Sequence, residues 1–154
     1  MRVAFAADHG GAALKAELLE RIRASAPEHD YRDLGGDGSD GTDDYPDFSR
    51  RLGRAIAGGA ADRGILICGS GVGASVAASK IRGVRAAVCH DTYSARQGVE
   101  HDDLNVLCLG GRVIGIELAV ELARTFLDAR FHDEGRYRRR LDMILAIEAE
   151  ETAG

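Results

Sequence analysis

Tryptophan is absent from this chain and aromatic residues make up only 5% of it, so platforms for stacking nucleic-acid bases are not expected. Positive charge is also scarce. The net charge of −5 argues against a general nucleic-acid binder and leaves room only for a local cluster of cations. No apolar run approaches membrane-spanning length, so no membrane partner is expected. The chain enters a strand-like segment at once, with no secretory pattern. The three cysteines, Cys68, Cys89 and Cys108, are odd in number and lack Cys-x-x-Cys spacing. That argues against a disulfide framework or a zinc site and suits the reduced cytoplasm, the expected location. No Gly-Lys-Ser or Gly-Lys-Thr occurs, which excludes a Walker phosphate loop.

What is present is an ordinary balance for a soluble fold, 45% hydrophobic and 29% charged over 154 residues. That is enough for one domain, residues 1–154, with a proper core. Strand-like segments are read at Arg2–Ala7, His29–Leu34, Gly64–Cys68, Arg85–Cys89 and Asn105–Leu109. Helices are expected from Ala12 to just before Pro27, from Asp44 to Gly58, over Ala74–Lys80, over Thr92–Glu100, over Gly115–Ala129 and from about Gly135 to Glu148, with Ala149–Gly154 fraying. His101-Asp102-Asp103 reads as a polar turn. Alternation of this kind predicts an α/β fold, a Rossmann-like three-layer sandwich with a five-stranded parallel sheet and right-handed crossovers.

The stretch Gly64–Gly73 organises the rest. Ile65, Leu66 and Ile67 are consecutive rather than alternating, as in a strand buried on both faces. Cys68 stands where that strand ends, the place where such sheets bind ligands. Gly69, Gly71 and Gly73 let a ligand approach the backbone, and successive N–H groups there can converge on an anion. The same field favours the Cys68 thiolate, and Ser70 adds a hydroxyl. The alternative is a tight turn around an inert buried thiol. Gly69-x-Gly71-x-Gly73 also bears a superficial likeness to a dinucleotide loop, with Asp91 about where a ribose-binding acid would stand. Its third glycine is one residue early, however, and the loop follows the third strand rather than the first.

Other polar residues gather at strand ends. Asp8 and His9 follow the first strand and serve either a site or local backbone bonding. Gly35–Asp44 is a long polar loop of the kind that carries function or mobility. His101 titrates near neutral pH and is either a surface histidine or a proton carrier. Arg136 and Arg140 share a helix face and can clamp a phosphate, unless they are only solvated charge. Tyr137, Leu141 and Ile144 lie on a neighbouring face that can anchor that helix. Arg112 is a third candidate cation, and Arg138 and Arg139 read as surface charge. Cys89 and Cys108 read as packing residues.

Motifs spread from Val3 to about Glu148 carry a resemblance. These are Ala7-Asp8-His9-Gly10-Gly11, Thr42-Asp43-Asp44-Tyr45-Pro46, Ile65 through Gly73, Asn105-Val106-Leu107 and Gly111-Arg112-Val113-Ile114-Gly115. The chain resembles ribose-5-phosphate isomerase type B, in the group that also holds the galactose-6-phosphate isomerase subunits. The resemblance implies cofactor-free, metal-free interconversion of aldose and ketose phosphates through an enediolate. Cys68 matches the cysteine that moves the proton between C1 and C2. Ser70, with Gly69, Gly71, Val72 and Gly73, matches the loop that steadies charge on the sugar oxygens. His101 matches the ring opener, Asp8 and His9 match sugar contacts, and Arg112, Arg136 and Arg140 match phosphate contacts. Asp102 stands where the family usually has asparagine. An ionised carboxylate only accepts hydrogen bonds, so the exchange bears on substrate preference. Allose 6-phosphate, galactose 6-phosphate or a tetrose phosphate are alternatives to ribose 5-phosphate, and a non-catalytic sugar-phosphate or nucleotide-binding module is the rival outside enzymes. The resemblance further implies a homodimer or homotetramer with active sites shared between subunits, the last helix packing at the interface.

Overall fold

Ile65, Leu66 and Ile67 are all buried because the strand that carries them lies in the middle of a sheet covered on both faces. The structure, a computed structural model, describes residues 1–153. In chain order the elements are β1 (Arg2–Ala7), α1 (Ala12–Ser25), β2 (Asp30–Asp33), α2 (Tyr45–Ala57), β3 (Arg63–Cys68), α3 (Val72–Ala78), β4 (Ala86–Val88), α4 (Thr92–Asp102), β5 (Val106–Gly110), α5 (Ile116–Asp128) and α6 (Gly135–Thr152). All strand pairs are parallel, in the order β2-β1-β3-β5-β4. This is the expected α/β three-layer sandwich.

Alternate residues of each strand feed two cores. On one face Val3, Phe5, Ile65, Ile67, Leu107 and Leu109 meet Leu18 and Ile22 of α1, Val99 of α4 and Leu122 and Phe126 of α5. On the other, Ala4, Ala6, Leu66, Val106 and Cys108 meet Phe48 and Leu52 of α2 and Ala74 and Ala78 of α3. Small residues of β1 on this second face let α2 lie close. Successive connections leave β1 in opposite directions, toward β2 and toward β3. The sheet therefore has its topological switch at β1 and β3, where ligands of open α/β sheets bind beyond the carboxyl ends.

Most boundaries shift by one or two residues from expectation, and three of the differences have a clear local reason. The segment 101–102 is helical rather than a turn: α4 runs on until Asp103 adopts a left-handed φ of 50° and its N–H bonds to the Gly98 and Val99 carbonyls. Strand β4 stops at Val88, and the His90 side chain takes over its bonding to β5: Nε2 accepts the Gly110 N–H at 3.0 Å. Helix α6 continues through Thr152 instead of fraying from Ala149. Only Leu141 of that helix is buried, and Ile144, expected to help anchor it, is 40% exposed. Asp91 proves to be the N-cap of α4, its carboxylate accepting the Ser94 N–H at 2.6 Å, which accounts for it without a nucleotide.

Candidate active site

The register of β1 and β3 builds the centre of the site. Ala6 pairs with Leu66 and Ala7 with Ile67, so one step further Asp8 stands beside Cys68 on the face shared with Ala6 and Leu66. Adjacent strands lie about 4.8 Å apart. Both residues are largely buried, Asp8 at 7% and Cys68 at 4% exposure. The Cys68 sulfur accepts the Gly71 N–H at 3.1 Å, as the loop reading anticipates. That bond needs Gly71 at a φ of 82°, where a Cβ would also lie 2.9 Å from the Leu109 carbonyl carbon. Burial pushes the Cys89 thiol up to about 11 and the Cys108 thiol higher still, which fits packing rather than proton transfer.

The loops after β1, β3 and β5 are wedged together. A Cβ on Gly10 would meet the Gly69 nitrogen at 3.1 Å, and one on Gly111 would meet the Gly10 carbonyl oxygen at 2.6 Å. The Gly111 and Arg112 N–H groups donate to the Cys68 and Gly69 carbonyls at 2.8 and 3.0 Å. This brings the Arg112 guanidinium over Gly69, with no hydrogen-bonding or ionic partner for its side chain among the described residues. Ser70 accepts the Val72 N–H at its hydroxyl oxygen, 3.2 Å, and Val72 is 56% exposed at the loop's outer edge.

His9 is held by a residue that its position in the sequence does not foretell. Asp43 accepts both the His9 backbone N–H, at 2.8 Å, and the ring Nδ1–H, at 2.7 Å. The hydrogen bond and charge of Asp43 raise the His9 pKa above its ordinary value. Asp8 accepts the Gly11 N–H at 3.2 Å. Asp8, His9 and Asp43 can each offer a ligand atom within 4.8 Å of the others, but these atoms already serve one another and the backbone. The same polar loop delivers Tyr45, whose ring lies so close to Gly73 that a Cβ there would meet Cζ at 2.6 Å. The length and polarity of residues 35–44 were the available signal for both residues.

The remaining candidates stand elsewhere. Helix α4 starts beyond the carboxyl end of β4 and must run back antiparallel to the strands before β5 can pair in parallel. Its 11 residues span about 16 Å, so His101 and Asp102 finish beside the amino ends of β4 and β5. There His101 joins His132 and Tyr137. Its ring centroid is 4.5 Å from that of Tyr137 and 6.0 Å from that of His132. Arg136 donates to the Tyr137 hydroxyl at 3.0 Å, and Arg140 is exposed one turn further along α6. Arg138 instead pairs with Asp133 and Asp142. The candidate residues thus fall on opposite rims: Asp8, His9, the Cys68–Gly73 loop and Arg112 on one, His101, Asp102, Arg136 and Arg140 on the other.

Comparison with known proteins points the same way. Residues 3–144 match the family described as Ribose/Galactose Isomerase. The chain is 43% identical over 147 residues to ribose-5-phosphate isomerase B of Escherichia coli, covering 96% of each. It is 34% identical over 148 residues to D-erythrulose-4-phosphate isomerase 2 of Mycolicibacterium smegmatis, covering 96% of this chain and 97% of that one. The solved structure of ribose-5-phosphate isomerase B from Clostridium thermocellum superposes with a TM-score of 0.90 at 41% identity, covering 98% of this chain and 99% of that one.

Proposed function

Because this chain belongs to the ribose/galactose isomerase family, we propose that it interconverts ribose 5-phosphate and ribulose 5-phosphate, with Cys68 as the base. The observation that carries the reading is the Cys68 sulfur, seated beside Asp8 at the end of the central strand and accepting the Gly71 N–H at 3.1 Å. The furanose opens when its ring oxygen gains a proton from His101 and O1 gives one up. The Cys68 thiolate then takes the proton from C2, and the electron pair moves through C1 to leave an enediolate. The loop N–H groups and the Ser70 hydroxyl stabilise the charge on its oxygens. The proton on O2 passes to O1, C2 becomes the carbonyl, and the thiol returns its proton to C1. Arg112, Arg136 and Arg140 hold the phosphate, which lets an acidic protein bind an anion. The reaction takes place in the cytoplasm.

This reading requires two copies. His101, Arg136 and Arg140 of one copy complete the Cys68 rim of the other in a homodimer. The exposed Met143, Ile144, Leu145 and Ile147 of α6, together with Val72, Val76 and Val113 of the cysteine rim, are apolar surface that such a dimer can cover.

A second substrate is favoured by Asp102, a carboxylate with no ionic or hydrogen-bonding partner among the described residues, and by the tetrose-phosphate isomerase among the relatives. Comparing kcat/KM for pentose, tetrose and hexose phosphates decides between them. Turnover in heavy water tests the chemistry. The wild type incorporates solvent deuterium at the carbon that gains the proton, and Cys68→Ala abolishes this while substrate binding persists. Normal isomerisation by that variant removes Cys68 as the base.

A further inference from the structure

We propose that Gln97 is the positioning residue for His101, and that it leaves Nε2 as the working nitrogen. The two lie one helical turn apart on α4, and the Gln97 amide nitrogen is 2.8 Å from His101 Nδ1. The groups around the ring are Tyr137, His132 and, beyond Tyr137, the Arg136 guanidinium 5.0 Å from the Tyr137 centroid. Tyr137 lies 4.5 Å away, centroid to centroid, and His132 lies 6.0 Å away. Nearby charges have other partners: Glu100 faces Arg96 at 3.6 Å, and Asp133 faces Arg138.

An uncharged amide suits a ring that gains and loses a proton. Its NH2 end donates to a bare Nδ1, and its carbonyl end accepts from a protonated one. A ring that gives up its Nε2 proton passes from imidazolium to the Nδ1–H tautomer, so the amide serves through its carbonyl end in both working states and holds the orientation without fixing one charge state. A carboxylate at the same place would hold the imidazolium and raise its pKa. With Nδ1 occupied and one ring face against Tyr137, Nε2 is the nitrogen left to meet the sugar.

The inference rests on His101 being the ring opener, and the substrates separate the two questions. Ribose 5-phosphate is a furanose that must open. Erythrulose 4-phosphate has its C4 oxygen esterified and cannot form that ring. Gln97→Leu should lower kcat/KM for ribose 5-phosphate about tenfold or more and leave turnover of erythrulose 4-phosphate unchanged. Equal losses on both substrates, or no loss on ribose 5-phosphate, would overturn the assignment. Gln97→Glu should keep the ring in place and move the His101 titration upward by about one pH unit, read by NMR of the labelled histidines without substrate. An unmoved His101 titration in Gln97→Glu would also overturn it. Should the wild type fail to convert ribose 5-phosphate, the proposed substrate falls, while that titration still decides whether Gln97 governs His101.

Discussion

His9 Nδ1 lies 2.7 Å from Asp43 Oδ1, a contact made across 34 residues of chain. It ties the loop after β1 to the long polar loop before α2 and favours the protonated form of an imidazole on the cysteine rim. Asp43 raises the His9 pKa, its hydrogen bond being the first cause. The folded protein therefore holds the His9 proton to higher pH than the unfolded chain does. The stabilisation is complete below the unfolded value of about 6.5 and disappears as pH rises through the raised folded value. Asp43→Asn should bring the His9 titration back toward about 6.5, measured by NMR of labelled histidines. The variant should also lose the alkaline-side fall in stability that this contact imposes.

His90 carries the opposite sign. Its Nε2 accepts the Gly110 N–H at 3.0 Å, a bond only the unprotonated nitrogen can make, and burial lowers its pKa. The unfolded chain takes up this proton first, so stability is whole above about pH 6.5 and is lost as pH falls below it toward the depressed folded value. His90→Ala leaves the Gly110 N–H without an acceptor and should cost about 1–3 kcal/mol in urea unfolding. His90→Gln, which keeps an accepting oxygen, should recover part of that loss and remove the acid-side dependence.

Gly71 should tolerate no side chain. Its φ of 82° and a Cβ position 2.9 Å from the Leu109 carbonyl carbon put Gly71→Ala under both backbone strain and a clash with backbone. A left-handed conformation alone costs an ordinary residue about 1–2 kcal/mol. The variant should lose at least that in unfolding free energy. By turning the Gly71 N–H away from the Cys68 sulfur, it should also change the rate at which Cys68 reacts with iodoacetamide.

Strands such as Ile65–Cys68 were legible because a doubly covered strand writes consecutive apolar residues, and the glycines after it mark a backbone that must pass close to something. Cys68, Asp8 and His9 were legible for the same reason: they sit where such strands end. Asp43 and Tyr45 stand in a motif the sequence displays, but their contacts with His9 and Gly73 were not legible, because contacts over the rim depend on how a long polar loop folds back, which no periodicity records. His101 and Asp102 read as a turn rather than as the last residues of α4 because an aspartate, Asp103, rather than a glycine takes the left-handed position that ends the helix. The split of the candidates between two rims follows from connectivity: residues at the end of a return helix lie far from those at the end of a strand.

That split gives the test of the shared site. Cys68→Ala damages the rim that carries the cysteine loop, and His101→Ala damages the opposite rim. In the proposed homodimer, each variant alone would have two defective sites. If subunits exchange freely, an equal mixture holds about half heterodimers. In each heterodimer one site combines both damaged rims, and the other combines both intact ones. Mixing and refolding the two variants should therefore restore about a quarter of wild-type activity on ribose 5-phosphate, more than either variant alone. The regained activity should depend on exchange, being absent when the variants are mixed after each is crosslinked. A mixture no more active than the better of its two parts would mean that each copy works with its own His101, and the two-copy site would have to be abandoned.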